Sequence, residues 1–362
     1  MRENGLAGRQ FFIMTFGLTV GTSILVTPAG LAGTAGGDAW LSSLVSLMIN
    51  MAMVALYIVL TRLYPGRTLF EIHEAALGTW AGKALTLLYL FYFLILAGTL
   101  LGNLGFFLSS EIMPETPIEA IQILFLAAVV MCARLGIVVL ARVGELMFPW
   151  VIVLFLFLAL ALLPQIDWNH IKPVLEKGWA PVVKAGLHSA MFQELVVLLM
   201  FIPLVREGKK ASHGYLAGTA LGSLMLSTVV LLSVLVLGVQ QSANSTFPAF
   251  ALAKTINIGN FLQRVEGLLI TIWVLTFFMK TMLLFFSMLK GFQTLCRLKS
   301  YQPLVYPLAM LVLVIAWNTY INTVYVGEII QKVWSVYSML HVLVIPLAIA
   351  AIGAVRKRLT SR

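Results

Sequence analysis

The sequence predicts an all-α polytopic membrane protein with about ten transmembrane helices, and three observations predict it. Of its 362 residues, 60% are hydrophobic and only 10% are charged. The mean hydropathy is +0.99. Apolar runs long enough to span recur along the whole chain, separated by short basic clusters. A soluble domain carries roughly 25% charged residues, so a chain this depleted cannot cover a water-facing surface. A span takes about 20 apolar residues, whereas a barrel would show alternating segments of about ten. One integral domain over 1–362 follows, with no soluble domain attached.

The runs between charge and turn clusters place spans at 10–32, 38–63, 83–110, 119–136, 141–163, 179–204, 212–238, 262–289, 303–320 and 333–355. The first exceeds a signal-peptide core and continues into further spans, so it reads as an uncleaved helix. With the N-terminus inside, seventeen of the 24 basic residues fall on inner segments. Six fall outside, Lys172, Lys177, Lys184, Lys254, Arg264 and Lys332, and Lys280 is left within the membrane. By the positive-inside rule both termini are cytoplasmic. The same clustering argues against nucleic acid as the partner of the +10 net charge. Two cysteines, Cys132 and Cys296, make neither a disulfide framework nor a thiolate metal site. The outer connection 239–261 contains Phe247-Pro248-Ala249-Phe250, too apolar for a free loop and too short to span. It reads either as a re-entrant segment over an outer vestibule or as a plain interfacial helix.

Two spans carry signals of interruption. The first contains Gly21-Thr22-Ser23 with Pro28 downstream, and the sixth contains His188-Ser189-Ala190-Met191-Phe192-Gln193-Glu194 with Pro203 downstream. Unwound backbone at membrane depth is tolerated where it lines a cavity or is buried in protein. These spans open the first and second groups of five and run in opposite directions, the pattern of an inverted repeat (about 10–163 and 179–355) whose broken helices meet at a midplane site. Freed amides would attract a carboxylate and freed carbonyls an ammonium, a pair that suits a zwitterion. The bland alternative is a pair of packing kinks.

Glu194 and Lys280 are the charged residues placed well inside the bilayer. A charge at that depth costs about 2.5–3.5 kcal/mol on insertion scales and persists where it is paired or lines water. Two readings stand for Lys280. It is a fixed cation sharing a cavity with Glu194, in place of a coupling ion, or it snorkels to the cytoplasmic interface. Tyr92 and Asn103 on the third span are weaker ligand candidates, and His341 and His188 read first as hydrogen-bonded core histidines. Glu145 and Glu266 complement helix dipoles at the starts of their spans. Gly17-xxx-Gly21, Gly98-xxx-Gly102 and Gly218-xxx-Gly222 are close-packing signals. His73-Glu74 opens like a zinc-protease motif but lacks its second histidine. With no P-loop, nucleophile elbow or Cys/His cluster, enzymatic chemistry and a cofactor are not expected.

The order of several short motifs adds a family. Gly8-Arg9-Gln10-Phe11-Phe12 leads into Gly21-Thr22-Ser23-Ile24-Leu25-Val26-Thr27-Pro28. Arg142-Val143-Gly144-Glu145 with Phe148-Pro149, Phe247-Pro248, and Arg264-Val265-Glu266 with Ile272-Trp273-Val274 and Lys280 come after it. Together with the length and span count, these resemble the B subunit of spore germinant receptors, the spore-germination permease family, over nearly the whole chain. The resemblance implies the amino acid–polyamine–organocation superfamily and a LeuT-like five-plus-five fold. It implies a sensor of small nutrients such as amino acids in the inner membrane of a dormant spore, working beside an A subunit and a lipoprotein C subunit. The ligand would lie between broken helices 1 and 6, which maps onto Gly21, Thr22, Ser23, Ala190 and Gln193, with Glu194 nearby. An autonomous proton-coupled amino-acid permease is the alternative, and it would use the same site.

Overall fold

The computed structural model describes residues 5–256, 265–319 and 333–360, and these are helical almost throughout. The expectations that fall on Arg2, Arg264, Lys332 and Arg362, on the start of the eighth span and on the end of the ninth lie outside the described residues. The helices are α1 (Gly8–Val20), α2 (Ser23–Ala35), α3 (Ala39–Leu63), α4 (Leu69–Leu77), α5 (Thr79–Glu111), α6 (Ile118–Leu135) and α7 (Ile137–Leu162). They continue as α8 (Trp179–Ala190), α9 (Gly208–Asn244), α10 (Pro248–Lys254), α11 (Glu266–Leu295), α12 (Val305–Thr319), α13 (Ser335–Met339) and α14 (Ile345–Thr360). A π-helical turn, Leu340–Val344, joins the last two.

Among the described residues nine helical stretches are long and apolar enough to cross a membrane. The sequence predicts ten, and the difference lies at the start. Gly21 and Thr22 divide the first apolar run into halves of 13 residues, each below spanning length. The second half then runs on through a 3-10 turn at Gly36–Asp38 into α3.

Local chemistry explains the shorter elements. Thr68 and Glu71 form a capping box that starts α4, with the Thr68 N–H donating to Glu71 Oε2 at 2.8 Å. The connection after α7 is held by Asp38, whose two carboxylate oxygens accept the Leu175 N–H at 2.9 and 3.0 Å. Large apolar side chains such as Met48, Trp80, Leu124, Trp150, Leu160 and Met310 are exposed on the outside of the bundle, as lipid requires. α1 and α11 are buried at the centre, together with a 3-10 segment, Leu195–Met200, that follows α8. Small residues let them approach. A Cβ at Gly218 would fall 2.6 Å from the Phe12 carbonyl oxygen, and one at Gly98 would fall 2.3 Å from Ile315. The close-packing reading of those positions is what the geometry displays.

Candidate functional site

The two interrupted helices face each other at the centre of the bundle. α1 closes at Val20, where the Gly21 N–H still donates to the Gly17 carbonyl at 2.9 Å. Gly21 then turns out of the helix with φ +22, and α2 restarts at Ser23. Glycine is needed here twice over. Its φ disfavours a side chain, and a Cβ would lie 2.5 Å from Lys280 Cδ. α8 closes at Ala190 through three successive turns, in which the N–H groups of Met191, Phe192 and Gln193 donate to His188, Ser189 and Ala190. Glu194 then adopts a left-handed conformation, φ +43 and ψ +40, before the 3-10 segment begins. Such a conformation is uncommon for a residue other than glycine, and strain of this kind clusters at ligand clamps and switch regions.

Lys280 of α11 links the two breaks. Its Nζ lies 2.6 Å from Glu194 Oε2, and both side chains are fully or almost fully buried. The same Nζ donates to the Phe192 carbonyl at 3.0 Å and to Thr22 Oγ1 at 3.3 Å. The snorkelling alternative is therefore corrected, because the ammonium finds three oxygens in the protein interior and has no need to reach the interface. The contact with Glu194 is the pairing that membrane burial of two ions demands.

A cavity of about 370 Å³ opens beside this junction. Thr22, Val26, Thr27 and Leu31 of the first interrupted helix form one wall, with Leu96, Thr99, Asn103 and Phe106 of α5 opposite. His188, Ser189, Phe192 and Glu194 form its base with Trp334, and Asn244–Phe247 overhang it at the end of α9. Of the residues proposed from the sequence, Thr22, Asn103 and Glu194 stand in the wall. Gly21, Ser23, Ala190, Gln193 and Tyr92 do not. The first shapes a turn, Ala190 ends a helix, and Ser23 and Gln193 are buried with Ser23 Oγ and Gln193 Oε1 lacking a protein partner. Tyr92 is corrected from a ligand contact to a support. Its hydroxyl donates to Ser338 Oγ at 2.8 Å, and Ser338 Oγ donates to the Met191 carbonyl at 2.6 Å, inside the second break. Its ring lies between Trp334 and the parallel face of His341, whose centroid is 4.4 Å away. Thr99, Phe192 and Trp334 are wall residues that sequence reasoning missed, since a threonine or aromatic in a membrane helix has no distinguishing pattern. His188 shares a hydrogen with Ser335 Oγ at 2.5 Å.

With this geometry in place, comparison with known proteins decides the family. The profile of the family described as spore germination protein matches residues 6–324. The chain belongs to the spore germination permease family, the B-subunit family of germinant receptors. Spore germination protein KB of Bacillus subtilis (strain 168) is 28% identical over 87% of this chain and 85% of its own length. Spore germination protein B2 of the same organism is 24% identical over 75% of this chain and 74% of its own. Spore germination protein XB of Bacillus anthracis is 24% identical over 69% and 70%. This is a multi-pass membrane family and not an enzymatic one.

Solved structures give the fold. The transporter MhsT, in complex with L-phenylalanine, superposes with a TM-score of 0.64 at 15% identity, over 95% of this chain and 97% of MhsT. A Na⁺-coupled sialic acid symporter in a substrate-bound outward-open state superposes with a TM-score of 0.66 at 11% identity, over 95% of this chain and 80% of its own. The germination family therefore shares the architecture of LeuT-fold transporters.

Proposed function

We propose that this chain is the nutrient-sensing subunit of a spore germination receptor, and that its ligand sits in the cavity between the two interrupted helices. The observation that carries this reading is the Lys280 ammonium, which joins Thr22 of one break to Phe192 and Glu194 of the other directly at the cavity base. Counting α1 with α2 as one interrupted span gives ten spans, in repeats of about 10–163 and 179–355. Membership of the family supports both termini on the cytoplasmic side of the spore inner membrane, and A and C subunits as partners.

A ligand shifts such a protein only if it binds one arrangement of the breaks better than the other. Lys280 gives the two arrangements a physical meaning. While its three donors are engaged, the breaks are held together, and a ligand that draws Thr22 or Phe192 aside weakens that hold. A coupling ion would leave after each cycle, whereas a lysine stays, which favours sensing over ion-driven transport.

Proteoliposomes containing this protein alone, with an imposed pH gradient, test the reading. Saturable binding of a germinant nutrient without uptake is the expected result. Uptake that follows the proton gradient and is lost on Glu194→Gln would instead make the chain an autonomous proton-coupled permease.

A further inference from the structure

Five polar side chains collect where α2, α3 and α9 pack together, and none of them lines the cavity. Their levels follow from the packing. A Cβ at Gly218 would fall 2.7 Å from Thr15 Cβ, and one at Gly222 would fall 2.8 Å from Thr19 Cβ, so α9 and α1 advance side by side. The match continues past the break, where Leu31 of α2 shares an apolar cluster with Val230 and Val234 of α9. The same offset sets Ser23 beside Ser227. α3 runs the other way, since Ala39 at its start belongs to that cluster and Tyr57 near its end stacks on Tyr215 at 6.2 Å. Counted outward from this tyrosine pair at about 1.5 Å per residue, Asn50 and Ser223 lie about 10–12 Å away. Ser46 and Ser227 lie about 16–18 Å away. Ser23, Ser46 and Ser227 thus share one level, with Asn50 and Ser223 a turn further in.

All five are exposed by 8% or less. A hydroxyl on a membrane helix has a ready acceptor in the carbonyl four residues back. Thr15, Thr19, Ser42 and Ser233 use theirs, at 2.8 to 3.3 Å. The hydroxyls of Ser23, Ser46, Ser223 and Ser227 do not, and neither amide atom of Asn50 meets a protein partner among the described residues. Buried polar groups left in this way call for a partner.

The donors decide its sign. Four hydroxyls give four O–H groups and Asn50 Nδ2 gives two N–H groups. A cation could take the oxygens but would leave those hydrogens without an acceptor. An anion receives them. Ser23 is also the first residue of α2, whose N-cap Thr22 supplies no side-chain cap, so the positive end of that helix lies at the same level. The carbonyl end of α1 lies beside it and opposes it, which keeps binding weak. With no basic side chain among the five, a single charge suits them, and the short reach of serine suits a monatomic ion.

We infer that the seam between α2, α3 and α9 binds a halide, chloride in the cell, through Ser23, Ser46, Asn50, Ser223 and Ser227. The ion ties the outer half of the first interrupted helix to α3 and α9, whatever the cavity takes.

The full chain in nanodiscs of zwitterionic phosphatidylcholine is unfolded thermally in sodium chloride, sodium bromide, sodium gluconate and choline chloride at equal ionic strength. The unfolding temperature should rise with chloride, level off in the millimolar range, respond alike to bromide, and ignore both gluconate and the change from sodium to choline. The double variant Ser46→Ala/Ser227→Ala should need about tenfold more chloride for the same rise, and Asn50→Leu should lose the response. Equal stability in chloride and gluconate, the result that bound water alone would give, overturns the inference. A rise that follows sodium and vanishes in choline chloride overturns the sign of the ion. A parental response kept in both variants overturns its assignment to this seam. If Asn50→Leu does not fold, the serine pair, which removes only two hydroxyls, still decides the location.

Discussion

On one side of the Lys280–Glu194 pair the helices part around a cavity, and on the other they close on buried tyrosines. The cavity draws on the second half of α5, from Leu96 to Phe106, and on the far end of α9. The closed side draws on Tyr89 and Tyr92 from the first half of α5, Tyr57 near the end of α3 and Tyr215 near the start of α9, all fully buried. Three of these hydroxyls serve irregular turns directly, and that of Tyr92 reaches one through Ser338. Tyr89 donates to the His341 carbonyl at 2.5 Å and Tyr57 to that of Val342, both in the π turn, while Tyr215 donates to Leu195 at 2.5 Å where the 3-10 segment begins. Leu6 and Val205 seal the same side with a β-bridge next to the end of the second interrupted helix. Irregular backbone is therefore used in two ways. Where its polar groups are met by protein it fixes the fold, and where they border the cavity it leaves open space between the helices.

The sharpest way to break this comparison is to remove one ion at the boundary. Lys280→Met or Glu194→Leu alone should cost about 3–5 kcal/mol, because each strands a buried charge, and the double variant should recover much of the loss. Thermal unfolding of the four proteins in nanodiscs forms the cycle that checks it. Gly21→Ala should cost about 1–3 kcal/mol through crowding against Lys280 Cδ, and a variant as stable as the parent would mean that the turn relaxes freely.

On the closed side, Tyr89→Phe leaves the His341 carbonyl without its side-chain donor and should cost about 1–3 kcal/mol, again by thermal unfolding. His73, in α4 between the spans, adds a pH test. Burial, helped by His341, lowers its pKa to about 3 from the ordinary 6.5. Between those values the unfolded chain binds the proton and the folded one does not. Stability should thus fall by about 1.4 kcal/mol per pH unit on acidification below about 6.5, and His73→Gln should flatten that slope. The smallest effect belongs to the half-exposed Lys254, whose ammonium lies 3.0 Å from Glu111 Oε2. Lys254→Ala should change stability by less than about 1 kcal/mol. A larger change would mean that α10, which carries Lys254, is held by that contact.

Much of this was legible in the sequence where chemistry is scarce and therefore conspicuous. A glycine–threonine–serine run inside an apolar span announced one break, and a glutamine–glutamate pair before a proline announced the other. Two charges at membrane depth pointed to each other, and they pair. Of the tyrosines only Tyr92 stood out, and in another role; Tyr57, Tyr89 and Tyr215 did not announce themselves, nor did Thr99 and Trp334. In lipid both faces of a helix are apolar, so periodicity does not separate the side that packs inward from the side that meets acyl chains. His73 resembled half of a metal motif, yet it is a buried histidine whose Nδ1 lies 3.3 Å from Thr86 Oγ1. Position along a span distinguishes none of these roles, since what decides them is which neighbouring helix stands opposite.

The π turn at Leu340–Val344 also bears on how this chain tolerates change in length. A π turn holds one residue more than the α-helical path it interrupts. Deleting Leu343 would leave a regular, equally hydrophobic helix that passes every compositional test for a span. Yet it would rotate α14 by about 100° against α13, turning Gly353 away from the Tyr64 ring that it now packs against. The His341 and Val342 carbonyls would return to main-chain donors, stranding the hydroxyls of Tyr89 and Tyr57. Among relatives, a gap at this point of the last helix should therefore be rarer than any apolar substitution there.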